Sequence, residues 1–91
     1  MIVEYNNIKY KVEKNQKDGF DETAFLERVT DYFEAYDYIF GDWAYSKLRL
    51  KGFYDSNNKE AKPLNDIKNL DKYIKDNCAY DCKYFLLKKI K

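Results

Sequence analysis

Histidine is absent from the 91 residues. With it go the commonest general base, the commonest metal ligand and the usual partner of a Ser or Cys nucleophile. Three glycines are present, and none belongs to a P-loop or a dinucleotide fingerprint. Cys78 and Cys82 are four apart, which is not the C-x-x-C redox spacing. Two thiols also fall short of the four ligands of a tetrahedral zinc ion within one chain. No apolar run approaches the roughly 18–20 residues of a membrane span. The opening MIVEYNNIKY carries Glu4 early and lacks the basic-then-apolar layout of a signal peptide. These absences predict a cytoplasmic, non-enzymatic monomer with no cofactor and no membrane partner.

What is abundant is aromatic and charged. Seventeen residues are Tyr, Phe or Trp, and each such ring buries roughly 150–250 Å². That suits a short chain, 1–91, forming one domain that must bury its core efficiently. The charge is uneven. Residues 1–46 hold five Lys/Arg against ten Asp/Glu, and residues 47–91 hold twelve against six. The two halves either neutralise each other by packing or leave the basic half for an anionic partner.

The pattern of elements is β-β-α-β-β-α-β. Ile2–Tyr5 and Ile8–Val12 alternate around Asn6-Asn7, a pair suited to a two-residue hairpin turn. Asp21 can cap a helix on which Phe25, Val29, Tyr32/Phe33 and Tyr36 recur at helical spacing. Glu27, Asp31 and Glu34 give that helix an acidic outer surface. Tyr36–Phe40 reads as a strand, Gly41-Asp42 as its interruption, Trp43 to Ser46 as a turn and Lys47–Tyr54 as the partner strand. After the polar loop Asp55–Pro63, Asn65 or Asp66 can cap a second helix with the stripe Ile67, Leu70, Ile74 and Cys78. Lys83–Ile90, with its run YFLL, reads as a central strand buried on both faces. The expected fold is a small α+β domain. A mixed or antiparallel sheet has two helices on one face, and without its first strand the order is that of the split βαβ domains.

Chemistry concentrates between Tyr36 and Tyr54. Alternation puts Leu48 and Leu50 on one face of their strand and Lys47, Arg49, Lys51 and Phe53 on the other. Cations beside a ring on an open sheet face pair with phosphates and stack bases. Lys51-Gly52-Phe53-Tyr54 also resembles the basic–Gly–aromatic opening of the RNA-recognition signature, although Asp55 departs from it. Trp43 would anchor or stack at the rim, or else sit half-buried above a turn capped by Asp42. Cys78 and Cys82 are either small buried hydrophobes or a thiol pair for redox or metal sensing. Asp37 and Asp42 flank the aromatic strand without a catalytic companion.

The string YDYIFGDWAYSKLRLKGFY, together with DGFDETAFLERV and NCAYDCKYFLLKK, resembles the YutD-like proteins, small domains of Gram-positive bacteria and their relatives. The likeness runs almost the whole chain. By resemblance, Gly41, Asp42, Trp43, Leu48, Arg49, Leu50, Lys51, Gly52 and Phe53 belong to the family motif. Ala44 and Ser46 stand where the family is expected to carry small residues, often Gly. The resemblance implies a stand-alone cytoplasmic α+β domain and implies no activity.

Two functions fit this reading. In one, an accessory protein binds RNA or a ribonucleoprotein through Lys47, Arg49, Lys51 and Phe53, with Trp43 at the rim. In the other, an adaptor binds a protein partner through Trp43, Tyr45 and Phe53, steered by the acidic helix.

Overall fold

The computed structural model describes residues 1–78 and 81–91. Five strands and two helices follow one another as β1 (Ile2–Tyr5), β2 (Ile8–Gln16), α1 (Glu22–Arg28), β3 (Tyr38–Ala44), β4 (Lys47–Phe53), α2 (Leu70–Asn77) and β5 (Tyr84–Lys89). A 3₁₀ turn at Asp31–Ala35 follows α1, and another at Ile67–Asn69 leads into α2. The β-β-α-β-β-α-β order is the one the sequence predicts.

The strands form one sheet in the order β1-β2-β5-β3-β4, with every pairing antiparallel. The chain's last strand is therefore its middle one, as YFLL predicts. The split βαβ arrangement would bring β2 and β4 together at the centre. Here β5 lies between β2 and β3 instead.

Asn6 and Asn7 both take positive φ, 52° and 66°, and close the β1–β2 hairpin in two residues. Tyr45 and Ser46 do the same for β3–β4, at 52° and 65°. The turn is thus tight even where the family's expected glycine is missing. Asp21 caps α1 by accepting from the Ala24 amide at 3.1 Å. The helix stops at Arg28 because Val29 turns extended, at φ −70° and ψ 144°. The predicted helical stripe through Tyr36 is therefore broken between Val29 and Thr30, both β-branched residues with low helix preference. Asp66 caps the second helical segment by accepting from the Lys68 amide at 3.0 Å.

Neighbouring residues of one strand point to opposite faces, and here each face carries a core of its own. On one, α1 supplies Phe25, and Val29 follows it, over Tyr10, Ile39, Leu48, Phe85 and Leu87. On the other, Leu70 of α2, with Ile67, Tyr73 and Ile74 packed around it, covers Phe40, Phe53 and Leu86. The two helices thus lie on opposite faces, not on one as predicted. The cause is β5 itself: Phe85 and Leu87 point one way and Leu86 the other, so each side needs its own cover.

Gly41 does not interrupt β3, which runs unbroken from Tyr38 to Ala44. A Cβ at Gly41 would stand 2.2 Å from Cζ of Phe85. The glycine exists to let that ring lie against the strand backbone. Gly41→Ala must displace the Phe85 ring, and overpacking of this kind costs about 1–3 kcal/mol or more. The expected result is a clear drop in the unfolding midpoint in denaturant, partly restored by adding Phe85→Leu.

Candidate functional site

The basic-aromatic ladder of β4 faces α2, and most of it is already engaged. Phe53 is fully buried, at 0% exposure. The Lys51 ammonium lies 5.0 Å from the Phe53 ring centre and 5.4 Å from that of Tyr73, so its cation–π partners are internal. Arg49 grips Asp42 with both Nε, at 3.0 Å, and a terminal nitrogen. The latter also donates to the Asn77 carbonyl at the end of α2, at 3.3 Å. Lys47 alone of the four projects freely, beside the hairpin tip. The predicted open face is therefore a helix-covered one. The helix lands there because the Phe40, Phe53 and Leu86 side chains share that side.

Asp42 is not a turn cap. It sits mid-strand, buried, directly opposite Arg49. Its second oxygen also accepts from the Cys78 thiol at 3.3 Å. The Asp42 carboxylate holds the Arg49 guanidinium above its usual range. Burial, followed by hydrogen bonds to Cys82 and Asp42, pushes the Cys78 thiol well up. A thiol held protonated is a poor nucleophile and metal ligand. Helix α2 ends at Asn77, so Cys78 caps it and Cys82 lies beyond it. Among the described residues no group of three or more Cys, Asp or Glu side chains is placed to hold a metal ion.

Trp43 is half-buried on the α1 side and donates its indole N–H to the Gly19 carbonyl at 2.7 Å. It pins the loop before α1. Of the adaptor's proposed hot spot, only Tyr45 is open, at 99% exposure. The acidic helix surface is partly used as well. Asn6 donates to Asp31 and Glu34, at 3.1 and 2.8 Å, tying the first hairpin to the 3₁₀ turn.

The sheet does have a bare region, on the α2 side but over the other strands. α2 covers β3, β4 and part of β5 and reaches Lys14 of β2 through Asp71, while among the described residues Ile2 of β1, Lys11 of β2 and Lys88 of β5 stay exposed on that face. One continuous row crosses all five strands: Ile2, Lys11, Lys88, Tyr38 and Phe53, each opposite the next. Phe53 and the half-buried Tyr38 meet α2's core, whereas Ile2, Lys11 and Lys88 are exposed. Lys11 and Lys88 are direct cross-strand partners, an unfavourable placement of like charges. Among the described residues neither has a carboxylate within 4.0 Å, although Lys88 lies over the Tyr38 ring at 5.9 Å.

This region is a trough. A 460 Å³ depression lies over Lys11, Tyr38, Lys88 and Ile90. A 340 Å³ depression beside Ile67, Leu70 and Leu86 continues it under the edge of α2, and both share Glu13 and Tyr38. The β2 bulge between Val12 and Lys14 brings Glu13 to their junction. At one end, Asp37 is bound to the Lys91 ammonium at 2.9 Å. Burial raises the pKa of Asp37, but the Asp55 amide, Lys91 and Asn58 outweigh it and leave the carboxyl below its ordinary 3.8.

Sequence reasoning missed Lys11, Tyr38, Lys88 and Ile90 as a group. The alternation of Lys9 and Lys11 with Tyr10 and Val12 did signal a wet face on β2. Only the seating of β5 beside β2 puts Lys88 across from Lys11.

The fold defines a small α+β domain whose motif residues are largely engaged within the structure. A family model described as "Putative antitoxin YutD-like" matches residues 4–88, and the chain belongs to that family. The chain is similar to "Putative antitoxin YutD" of Bacillus subtilis (strain 168), 47% identical over 85 residues and 93% of each chain. It is also similar to the solution NMR structure of protein yutD from B. subtilis, with a TM-score of 0.83 and 44% identity. That match covers all of this chain and 83% of the other.

Reversing Arg49 to Glu sets a second carboxylate against the buried Asp42. Losing one partner of a buried pair costs about 3–5 kcal/mol, less where the partner is half-exposed as Arg49 is. Arg49→Glu is therefore expected to lower the thermal midpoint sharply, and a near-normal midpoint would show that Asp42 does not need its partner. Acid sensitivity follows from Asp37 and from Asp66. The Ser56 hydroxyl and the Lys68 amide hold Asp66 below 3.8. A lowered carboxylate contributes stability above its unfolded pKa and loses it as pH falls through the folded one. Stability should hold above about pH 5 and fall below 3.8. Denaturant titrations of Asp37→Asn and Asp66→Asn should show a flatter pH profile.

Proposed function

We propose that the protein is a non-catalytic, antitoxin-type binding protein that acts by occupying a partner protein through the bare trough. The observation that carries this reading is the opposed pair Lys11 and Lys88 beside Tyr38 on an uncovered half of the sheet. A folded protein tolerates two facing ammonium groups at some cost, and a carboxylate set between them removes that cost. The description of the family and of its B. subtilis relative as antitoxin supports a role exercised through a partner.

A protein fits the trough better than the RNA or ribonucleoprotein expected from the sequence. Phosphate-backbone binding grows with the number of Lys and Arg that neutralise phosphates, and carboxylates among them work against it. Here Glu13, Asp37 and Asp55 line the same depression as the lysines. Base stacking wants exposed rings. Phe53 is buried, Trp43 has its N–H committed, and among the described residues Tyr38 is the one ring lining the trough beside the lysines.

The test is capture from a nuclease-treated lysate of the native host. A protein should be retained by the wild-type chain and lost by Lys11→Glu/Lys88→Glu, with the unfolding midpoint of the double variant measured alongside and Lys11→Gln/Lys88→Gln as a second variant that adds no carboxylate beside Glu13. A captured species destroyed by nuclease, or a partner held equally by the double variant, overturns the reading.

A further inference from the structure

We infer that the occupant of the trough is an amphipathic helix of the partner with carboxylates along one flank, laid beside α2 as the sheet's missing second helix. This rests on the partner-binding reading and names the chemistry of the partner at that site.

Three observations lead there. The first is width. The bare part spans β1, β2 and β5, and strands lie about 4.8 Å apart, so the surface is about 10 Å across. A helix with its side chains is about 10–12 Å wide. Packed helices lie about 8–10 Å apart, which sets such a helix over Lys11, Lys88 and Ile90 when α2 is its neighbour. A partner strand would need a free sheet edge, whereas this is a face.

The second is polarity. The trough's accessible apolar groups run from exposed Ile90 past half-buried Tyr38 to half-buried Ile67 before α2, over Leu86 and Leu70, which are already buried in the α2 core. That is an apolar line for the i, i+3, i+4 residues of an amphipathic helix. Ile90 itself is 43% exposed, and Ile2, at the outer edge, 59%.

The third is charge. Lys14 is paired with Asp71, Lys91 with Asp37 and Lys68 with Asp66, and Lys89 donates to the Glu34 carbonyl, so among the described residues Lys11 and Lys88 are the trough's cations without a carboxylate, Lys88 resting over the Tyr38 ring. Glu13 opposes them at the bulge. A partner flank that is acidic toward β2 and β5 and neutral or basic beside Glu13 meets all of these groups. The α1 side of a second copy, with Leu26 and Tyr32 exposed among Glu22, Glu27 and Asp31, is the competing occupant of similar chemistry.

Site-specific photo-crosslinking in the native host decides between them. Benzoylphenylalanine is placed at Tyr38 and Ile90 in the trough, and at Tyr45 and Tyr32 as positions elsewhere. The expected result is that the two trough positions label one partner segment with helical apolar spacing and Asp or Glu on one flank. Lys11→Glu/Lys88→Glu should cut that labelling at least tenfold, and reversing the partner's carboxylates to Lys should restore it. Labelling of a strand-like or uncharged segment, or of residues 22–34 of another copy, overturns the inference. Labelling from Tyr45 or Tyr32 alone removes the trough but leaves partner binding standing. No protein labelling from any of the four positions removes both.

Discussion

Everything in this fold depends on a strand that is hydrogen-bonded on both edges and buried on both faces. β5 pairs with β2 on one side and β3 on the other. Phe85 and Leu87 anchor the core beneath α1, and Leu86 anchors the one beneath α2. Because the strand is last in sequence, the sheet is completed only when the chain's end enters its middle. The contact that makes room is the Phe85 ring against Gly41. A side chain at Gly41 would displace the Phe85 ring at the centre of the sheet.

The long family motif is best understood as the means of building that centre. Gly41 receives Phe85. Gly52 likewise receives the Tyr36 ring, where a Cβ would stand 2.3 Å from it. Asp42 and Arg49 face each other across β3 and β4, and Arg49 reaches on to the end of α2. Trp43 ties the other face to the loop before α1 through Gly19. Leu48 and Leu50 fill the α1 side, and Phe53 fills the α2 side. Aromatic rings and charged groups occur together here because the strand pair links two cores and two helices. The bare region is made of residues outside the motif, Lys11, Lys88 and Ile90, which meet only through the sheet order.

Local rules were legible wherever the cause was local. Asn6-Asn7, the Asp21 cap, the Asp66 cap and the stripe Ile67, Leu70, Ile74 and Cys78 each depend on residues within a turn or two of one another. Errors arose where a distant group intervened. Gly41-Asp42 looked like a break because the ring that requires a glycine lies forty-four positions away. The helix through Tyr36 was over-extended because helical spacing of apolar residues does not register the extended backbone at Val29. The ladder Lys47, Arg49, Lys51 and Phe53 does share one face of β4, yet nothing within the strand says that α2 lies on it.

Alternation, turn residues and capping groups by themselves determined the elements, their order and the two-sided burial of the final strand, because these follow from backbone geometry over a few residues. The tertiary structure alone decided which strands adjoin, which face each helix takes and which charges find partners. Those outcomes depend on side chains far apart in the chain competing for the same contacts. Arg49 is neutralised because Asp42 lies across from it. Lys11 and Lys88 are left facing each other because β5 enters beside β2 and α2 covers only the other half of the sheet.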